Sequence, residues 1–356
     1  MWMNLAPSRR IAALILAAAL LALTAGCSKA GEGERPKAQA TVQNGDVTLV
    51  IGAYSVVKDV FEELLPLFQE KWLEQTGQRI VFQESYEASG TQARSIAGGF
   101  EADVAVLAME GDLDKIAAAG LITHNWKEQP FGGMITNSIV VLGTRAGNPL
   151  QISDWSDLSR KGVKVLYPNP KTSGGAQWDI NAIFGAGLKE SERLHGVKDT
   201  EYAKQFLQAI HHNVESLDKS GRASMAAFEY GVGDVIVTYE NELLARIKQG
   251  VEYEIVIPND TILIQNPAAV VDVHAEKHGT REAAEAFVSF LQSEEAQRLF
   301  MAYGFRPVEE ASAAEAEAKF SIPEGLFDIG YLGGWSEAKE LLYSKKGIWY
   351  QVLAGI

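Results

Sequence analysis

The sequence predicts an α/β protein of doubly wound, mostly parallel sheets with helices on both faces. Three observations carry that prediction. Short apolar runs rich in Val, Ile and Leu, such as residues 47–53, 102–108 and 234–239, have the length and branching of buried strands. Amphipathic runs bounded by helix start and stop residues alternate with them. The chain has 356 residues, 47% hydrophobic and 22% charged, which suits about two domains with substantial cores.

Residues 1–26 are set apart as a signal peptide. Arg9 and Arg10 form a basic start, and residues 11–25 form an apolar run shorter than the roughly 20 residues of a membrane span. Small residues then lead to Cys27, the single cysteine of the chain, so an intramolecular disulfide is impossible. The position of Cys27 resembles a bacterial lipobox, in which the cysteine is lipidated and becomes the mature N-terminus. Thr24 stands where leucine is usual. Residues 27–45 read as a flexible tether to that anchor. The formal net charge is −14, and −16 once the two leader arginines are removed, which argues against a nucleic-acid partner. It also opposes long-range attraction of an anion, so an anion site has to rely on local donors.

In order, residues 47–53 read as a strand and 56–75 as a helix with Ser55 as its N-cap, Pro66 as a kink or restart, and Gly77 as its stop. Residues 79–85 form a second strand, followed by a Ser89-Gly90 turn into a helix. A strand over 102–108 and a helix over 112–119 follow, then a strand over 138–144 and a short helix over 154–158 capped by Ser153. The strand 163–167 leads into Pro168-Asn169-Pro170-Lys171-Thr172-Ser173-Gly174-Gly175-Ala176 and a helix over 176–184. A helix over 200–212 and an extended piece over 213–217 precede a third Ser/Gly turn at Ser220-Gly221. After it come a helix over 223–230, strand 234–239, helix 241–248 and strand 253–257. Strand 268–273 and helices 281–292 and 294–303 close the pattern.

A helix start carries unpaired N–H groups and about half a positive charge, so it attracts anions. Serine there caps the helix or donates its hydroxyl, and glycine lets a ligand approach the backbone. Each of the three Ser/Gly turns is open to either reading, a plain cap or an oxyanion cradle. All three fall where strands of an open α/β sheet turn into helices, the usual place for ligands.

Several blocks in order resemble the sulfate-binding proteins of bacterial ABC importers. They are Ser89-Gly90-Thr91-Gln92-Ala93-Arg94-Ser95, Glu101-Ala102-Asp103-Val104, Gly147-Asn148-Pro149, the Pro168–Ala176 block, Gly231-Val232-Gly233-Asp234-Val235, Glu240-Asn241-Glu242, Phe305-Arg306-Pro307 and Gly333-Gly334-Trp335. The resemblance spans about residues 47–352. It implies a two-lobed periplasmic-binding-protein fold of type II that closes on sulfate or thiosulfate and hands it to a permease. Lobe I is expected over 46–134 plus 263–330, lobe II over 135–262, and a C-terminal helical segment over 331–356. Chain crossings are expected near 132–137 and 259–266. Carried over by position, the oxyanion-binding residues are Ser89, Ser173, Gly174, Gly175, Gly221 and Tyr239, with Ser55, Arg94 and Arg222 around them.

Three departures from the family pattern stand out. Tyr239 occupies the place of a tryptophan, whose indole only donates, whereas a phenol also accepts. Tyr54-Ser55-Val56 replaces Tyr-Asp-Pro, and Gln177 stands where arginine is common. Plainer readings are a core aromatic for Tyr239 and surface salt bridges for Arg94 and Arg222. His211-His212 reads as solvated, and nothing in the spacing suggests a metal or cofactor.

An enzyme reading fails on order. Ser216-Leu217-Asp218-Lys219 follows Lys171-Thr172-Ser173, the reverse of penicillin-interacting enzymes, and no phosphate-binding Gly-Lys-Ser/Thr loop is present. The sequence therefore predicts a monomeric, extracytoplasmic solute-binding lipoprotein for sulfate or thiosulfate, with phosphate, molybdate or tungstate as alternative ligands.

Overall fold

A computed structural model describes residues 45–308 and 313–356; the predicted leader, Cys27 and nearly all of the tether lie outside them. Strand β1 (Val47–Tyr54) passes through a 3-10 turn into helix α1 (Lys58–Thr76), and β2 (Ile80–Glu87) is followed by α2 (Ser89–Ala97). Strand β3 (Val104–Val106) leads to α3 (Glu110–Ala118), and the long β4 (Met134–Arg145) follows. Next come β5 (Val165–Pro168), α4 (Gly174–His195), α5 (Thr200–His211), β6 (Val214–Asp218), α6 (Gly221–Glu229), β7 (Val235–Tyr239), α7 (Glu240–Lys248) and β8 (Tyr253–Val256). Strand β9 (Leu263–Val270) precedes α8 (Asp272–His278), α9 (Arg281–Leu291), α10 (Glu294–Ala302) and α11 (Ala313–Lys319). Helices α12 (Gly334–Ala338) and α13 (Ile348–Ala354) end the chain, with a π turn over Lys339–Tyr343 between them.

The sheet is mixed, in the order β2-β1-β3-β9-β4-β7-β5-β6, with β8 added beside β4. At one end β1 pairs in parallel with β2 and β3, and at the other β5 pairs in parallel with β6 and β7. These two units share one strand order, with the first strand in the middle. Between them β9 and β4 run antiparallel to each other, Asn137 opposite Gln265 and Ser138 opposite Ile264. The segments expected as chain crossings, 132–137 and 259–266, run into the first residues of β4 and β9.

Four local expectations change. Ser55 makes no cap; it lies in the 3-10 turn, and α1 begins after Val57 without a side-chain cap. Helix α1 runs through Pro66, which is exposed, so the carbonyl left without a donor faces water. Asp154, not Ser153, caps the short 3-10 helix, in a reciprocal capping box with Asp157. His211 is not a solvated residue, because its Nδ1 meets the Tyr167 hydroxyl at 2.6 Å and Trp349 packs against its ring.

Two blocks singled out in the sequence meet in the interior. Arg306 forms a two-pronged ion pair with Glu240, Nε to Oε2 at 2.7 Å and Nη2 to Oε1 at 3.0 Å, and also donates to the Ser321 carbonyl. Arg306 and Glu240 are 8% and 4% exposed. Removing one partner of such a buried pair strands the other charge and costs about 3–5 kcal/mol. Arg306→Met is therefore expected to lower the free energy of urea unfolding by about 3 kcal/mol, and a loss below about 1 kcal/mol would contradict the pair's structural role.

Candidate functional site

The carboxyl ends of β1, β2, β5, β6 and β7, with the turn after β3, converge on one cavity. Its wall includes Tyr54 and Ser55 after β1, Ser89 after β2, Ala108 after β3, Ser173 and Gly175 after β5, Ser220 and Gly221 after β6, and Tyr239 at the end of β7. Asp179, Thr238 and Glu242 also line it, with Val56, Ala88 and Pro168. Helices α2, α4 and α6 all begin here, as the three Ser/Gly turns predicted.

The three starts are built differently. Ser173 caps α4, its Oγ accepting from Ala176 N–H at 3.3 Å, and its own N–H donates to the Asn169 carbonyl. The Gly174 and Gly175 N–H groups, at the first two positions of α4, have no acceptor among the described residues. Ser220 caps α6 through Ala223 N–H at 3.1 Å, which leaves the Gly221 N–H in the same unpaired position. Ser89 is not a cap but the first residue of α2. Its hydroxyl donates to Asp112 Oδ2 at 2.6 Å and accepts from Ala108 N–H at 2.9 Å, so its proton is already engaged within the protein.

Two of the turns touch. A Cβ at Gly174 would lie 2.9 Å from Asp112 Oδ2 and 3.2 Å from both Ala108 Cβ and Ser89 Cβ. Glycine is required there by close approach rather than by backbone angle. Nearby, the Ala108 carbonyl accepts from Trp178 Nε1 at 2.7 Å and from Asn266 Nδ2 at 2.8 Å. Asp112, fully buried, receives the Lys115 ammonium on its other oxygen at 2.6 Å.

Tyr239 is 4% exposed, and its ring lies over Gly175, with Cε1 3.5 Å and the hydroxyl 3.6 Å from where a Cβ would stand. Burial pushes its phenol well above the usual range, so it is neutral. Asp179 and Glu242 each leave a buried oxygen without a partner, and the Tyr239 and Tyr54 hydroxyls reach no partner at good hydrogen-bond geometry, with Asn266 near the first and Thr136 near the second; all four residues line the cavity. Buried polar atoms are normally paired, so four such residues on one wall single this cavity out as a candidate binding site.

The remaining predicted residues sit outside that wall. Arg94 donates to the Lys171 carbonyl and to Thr91 Oγ1, tying α2 to the loop before α4. Arg222 pairs with Asp59 at 3.1 Å and Glu242 at 3.7 Å, so its charge is spent on carboxylates. Burial raises the Glu242 carboxyl, opposed by Arg222 and Arg246. Gln177 donates to the Pro170 carbonyl, bracing the loop. Sequence reasoning missed Asp179, Tyr54 and Glu242 as wall residues. For Asp179 a signal existed: it lies four residues after Gly175, on the same helix face.

Residues 49–306 match the family model of the bacterial extracellular solute-binding proteins. The chain belongs to that family. It is 39% identical over 346 residues to the sulfate-binding protein of Synechococcus elongatus, covering 96% of this chain and 95% of that one. It is 38% identical over 320 residues to the sulfate-binding protein of Escherichia coli, covering 88% and 95%. The structure is similar to the sulfate-binding protein SubI of Mycobacterium tuberculosis, with a TM-score of 0.77 and 32% identity over 84% of this chain and all of the other. The fold is thus of the periplasmic-binding-protein type, α/β as expected, with the antiparallel β4–β9 pair set between the two parallel units.

The contact at Gly174 gives a direct check. Gly174→Ala forces the starts of α2 and α4 apart, and overpacking of this kind costs about 1–3 kcal/mol. The urea midpoint is expected to fall accordingly, and an unchanged midpoint would show that the two turns are not pressed together.

Proposed function

We propose that this chain is the solute-capturing component of an ABC importer, binding sulfate or thiosulfate and delivering it unchanged to a permease. The observation that carries the reading is the convergence of three helix starts on one cavity that a buried tyrosine closes. Each start contributes about half an elementary charge, so together they offset much of a dianion without a cation. Unpaired N–H groups of Gly174, Gly175 and Gly221 supply donors, with Ser173 and Tyr239 at the wall. Ser89 joins them if its proton turns from Asp112 to the ligand. The similarity to sulfate-binding proteins supports the choice of oxyanion.

In this reading residues 46–134 with 263–330 form one lobe and 135–262 the other, and residues 331–356 brace them. The lobes close on the anion, and no bond of the ligand is made or broken. The protein acts as a monomer outside the cytoplasm, held at the membrane by a lipid on Cys27 after removal of residues 1–26. Arg94 and Arg222 act around the ligand rather than on it, and Ser55 supports the site from the cavity wall.

Titration calorimetry against sulfate, thiosulfate, phosphate and molybdate tests this. Binding of sulfate or thiosulfate ahead of the other two is expected, and failure to bind any of the four would overturn the reading. Tyr239→Trp replaces a group that donates and accepts with one that only donates. A buried unpaired polar group costs about 1–3 kcal/mol, so the sulfate-to-phosphate affinity ratio is expected to rise by about tenfold. An unchanged ratio would remove the Tyr239 hydroxyl from ligand selection.

A further inference from the structure

The cavity contains an acid that an anion site does not obviously want. Asp179 projects from the same face of α4 as Gly175, lines the cavity and is 1% exposed. No hydrogen bond reaches it from any described residue, and its Oδ1 is enclosed without a partner. The titratable groups around it are Tyr167 at the end of β5, Tyr239 at the end of β7 and Tyr343 from the C-terminal segment. Tyr54 and Glu242 also stand on the wall, no lysine or arginine lines it, and Arg222 beside Glu242 is turned to Glu242 and Asp59. A carboxylate with neither a cation nor a donor is costly in such a place, and more so beside a dianion. Burial accordingly drives the Asp179 carboxyl well above the usual carboxylate range.

We propose that Asp179 enters the site as a neutral carboxylic acid and donates its O–H to the bound oxyanion, which makes it a specificity-determining residue. This rests on the oxyanion reading of the same cavity. A fully ionised ligand such as sulfate offers only acceptors and matches an O–H donor. A ligand that carries its own proton is better matched by an ionised carboxylate, which this cavity disfavours.

Infrared difference spectra of the whole chain with and without sulfate test the proposal. They are expected to contain a protonated-carboxyl stretch that shifts on binding and is missing from Asp179→Asn. In calorimetry, wild-type affinity for sulfate is expected to fall by about tenfold per pH unit once the acid of the empty site ionises. Asp179→Asn, whose amide donates with no proton to lose, is expected to bind more tightly than the wild type at the alkaline end. A sulfate complex with no protonated-carboxyl band, or an affinity that rises with pH, overturns the proposal, because either outcome puts an ionised carboxylate beside the ligand. Absence of the band in the wild type decides against the proposal even if the variant does not fold. Because burial also raises the Glu242 carboxyl, a band that is present is assigned to Asp179 by its loss in Asp179→Asn or, should that variant not fold, by its persistence in Glu242→Gln. Sulfate that does not bind at all overturns the oxyanion reading as well; sulfate that binds without the band overturns this proposal alone.

Discussion

One residue, Ala108, ties the site together through the two peptide groups that flank its Cα. Its N–H is held by Ser89 at the start of α2, and its carbonyl receives Trp178 from α4 and Asn266 from β9. Each bond contributes only about 1 kcal/mol on its own. Their combined effect is positional, since they fix the starts of two helices and the middle of β9 to one point. Gly174 can then pack against Ser89 and Asp112 with no room for a side chain.

The electrostatics of the cavity run against those of the chain. The protein is strongly acidic, with 46 Asp and Glu against 32 Lys and Arg. Even so, the groups nearest the cavity are peptide N–H donors, phenols held neutral by burial, and carboxyls that burial raises. Of the arginines close by, Arg222 and Arg246 are occupied with Asp59, Glu242 and Glu229, and Arg94 with the Lys171 carbonyl and Thr91. Attraction for an anion therefore arises from oriented dipoles at short range, which salt screens far less than it screens exposed charges.

Much of this was legible in the sequence because it is local chemistry. Serine and glycine at the ends of apolar runs marked the starts of α2, α4 and α6, and the alternation of strands and helices marked the fold class. What escaped depends on distant partners. The first half of β9 was hidden because Asn266 and Pro267 resemble a breaker; its partner β4 and the Ala108 carbonyl make them strand residues. The division of labour between Ser89 and Ser173 was equally hidden, since only Asp112, 23 residues away, makes Ser89 a brace rather than a cap. Ser55 and Ser153 looked like caps by the same local rule and are not, because Val57 and Asp154 take those positions.

The last stretch of the chain packs against α4 and its surroundings. Trp335 meets Trp178 edge-on, the Tyr343 hydroxyl lies within hydrogen-bond distance of the Gln177 carbonyl and the Asn181 side chain, and Trp349 lies against Tyr167 and His211. Synthesis runs from the N-terminus, so this support is made after every residue of the cavity wall. Until the ribosome has released residue 349, the helix that offers Gly174 and Gly175 lacks one of its walls, and a chain cut short by a few tens of residues keeps every cavity residue while losing what holds several of them in place.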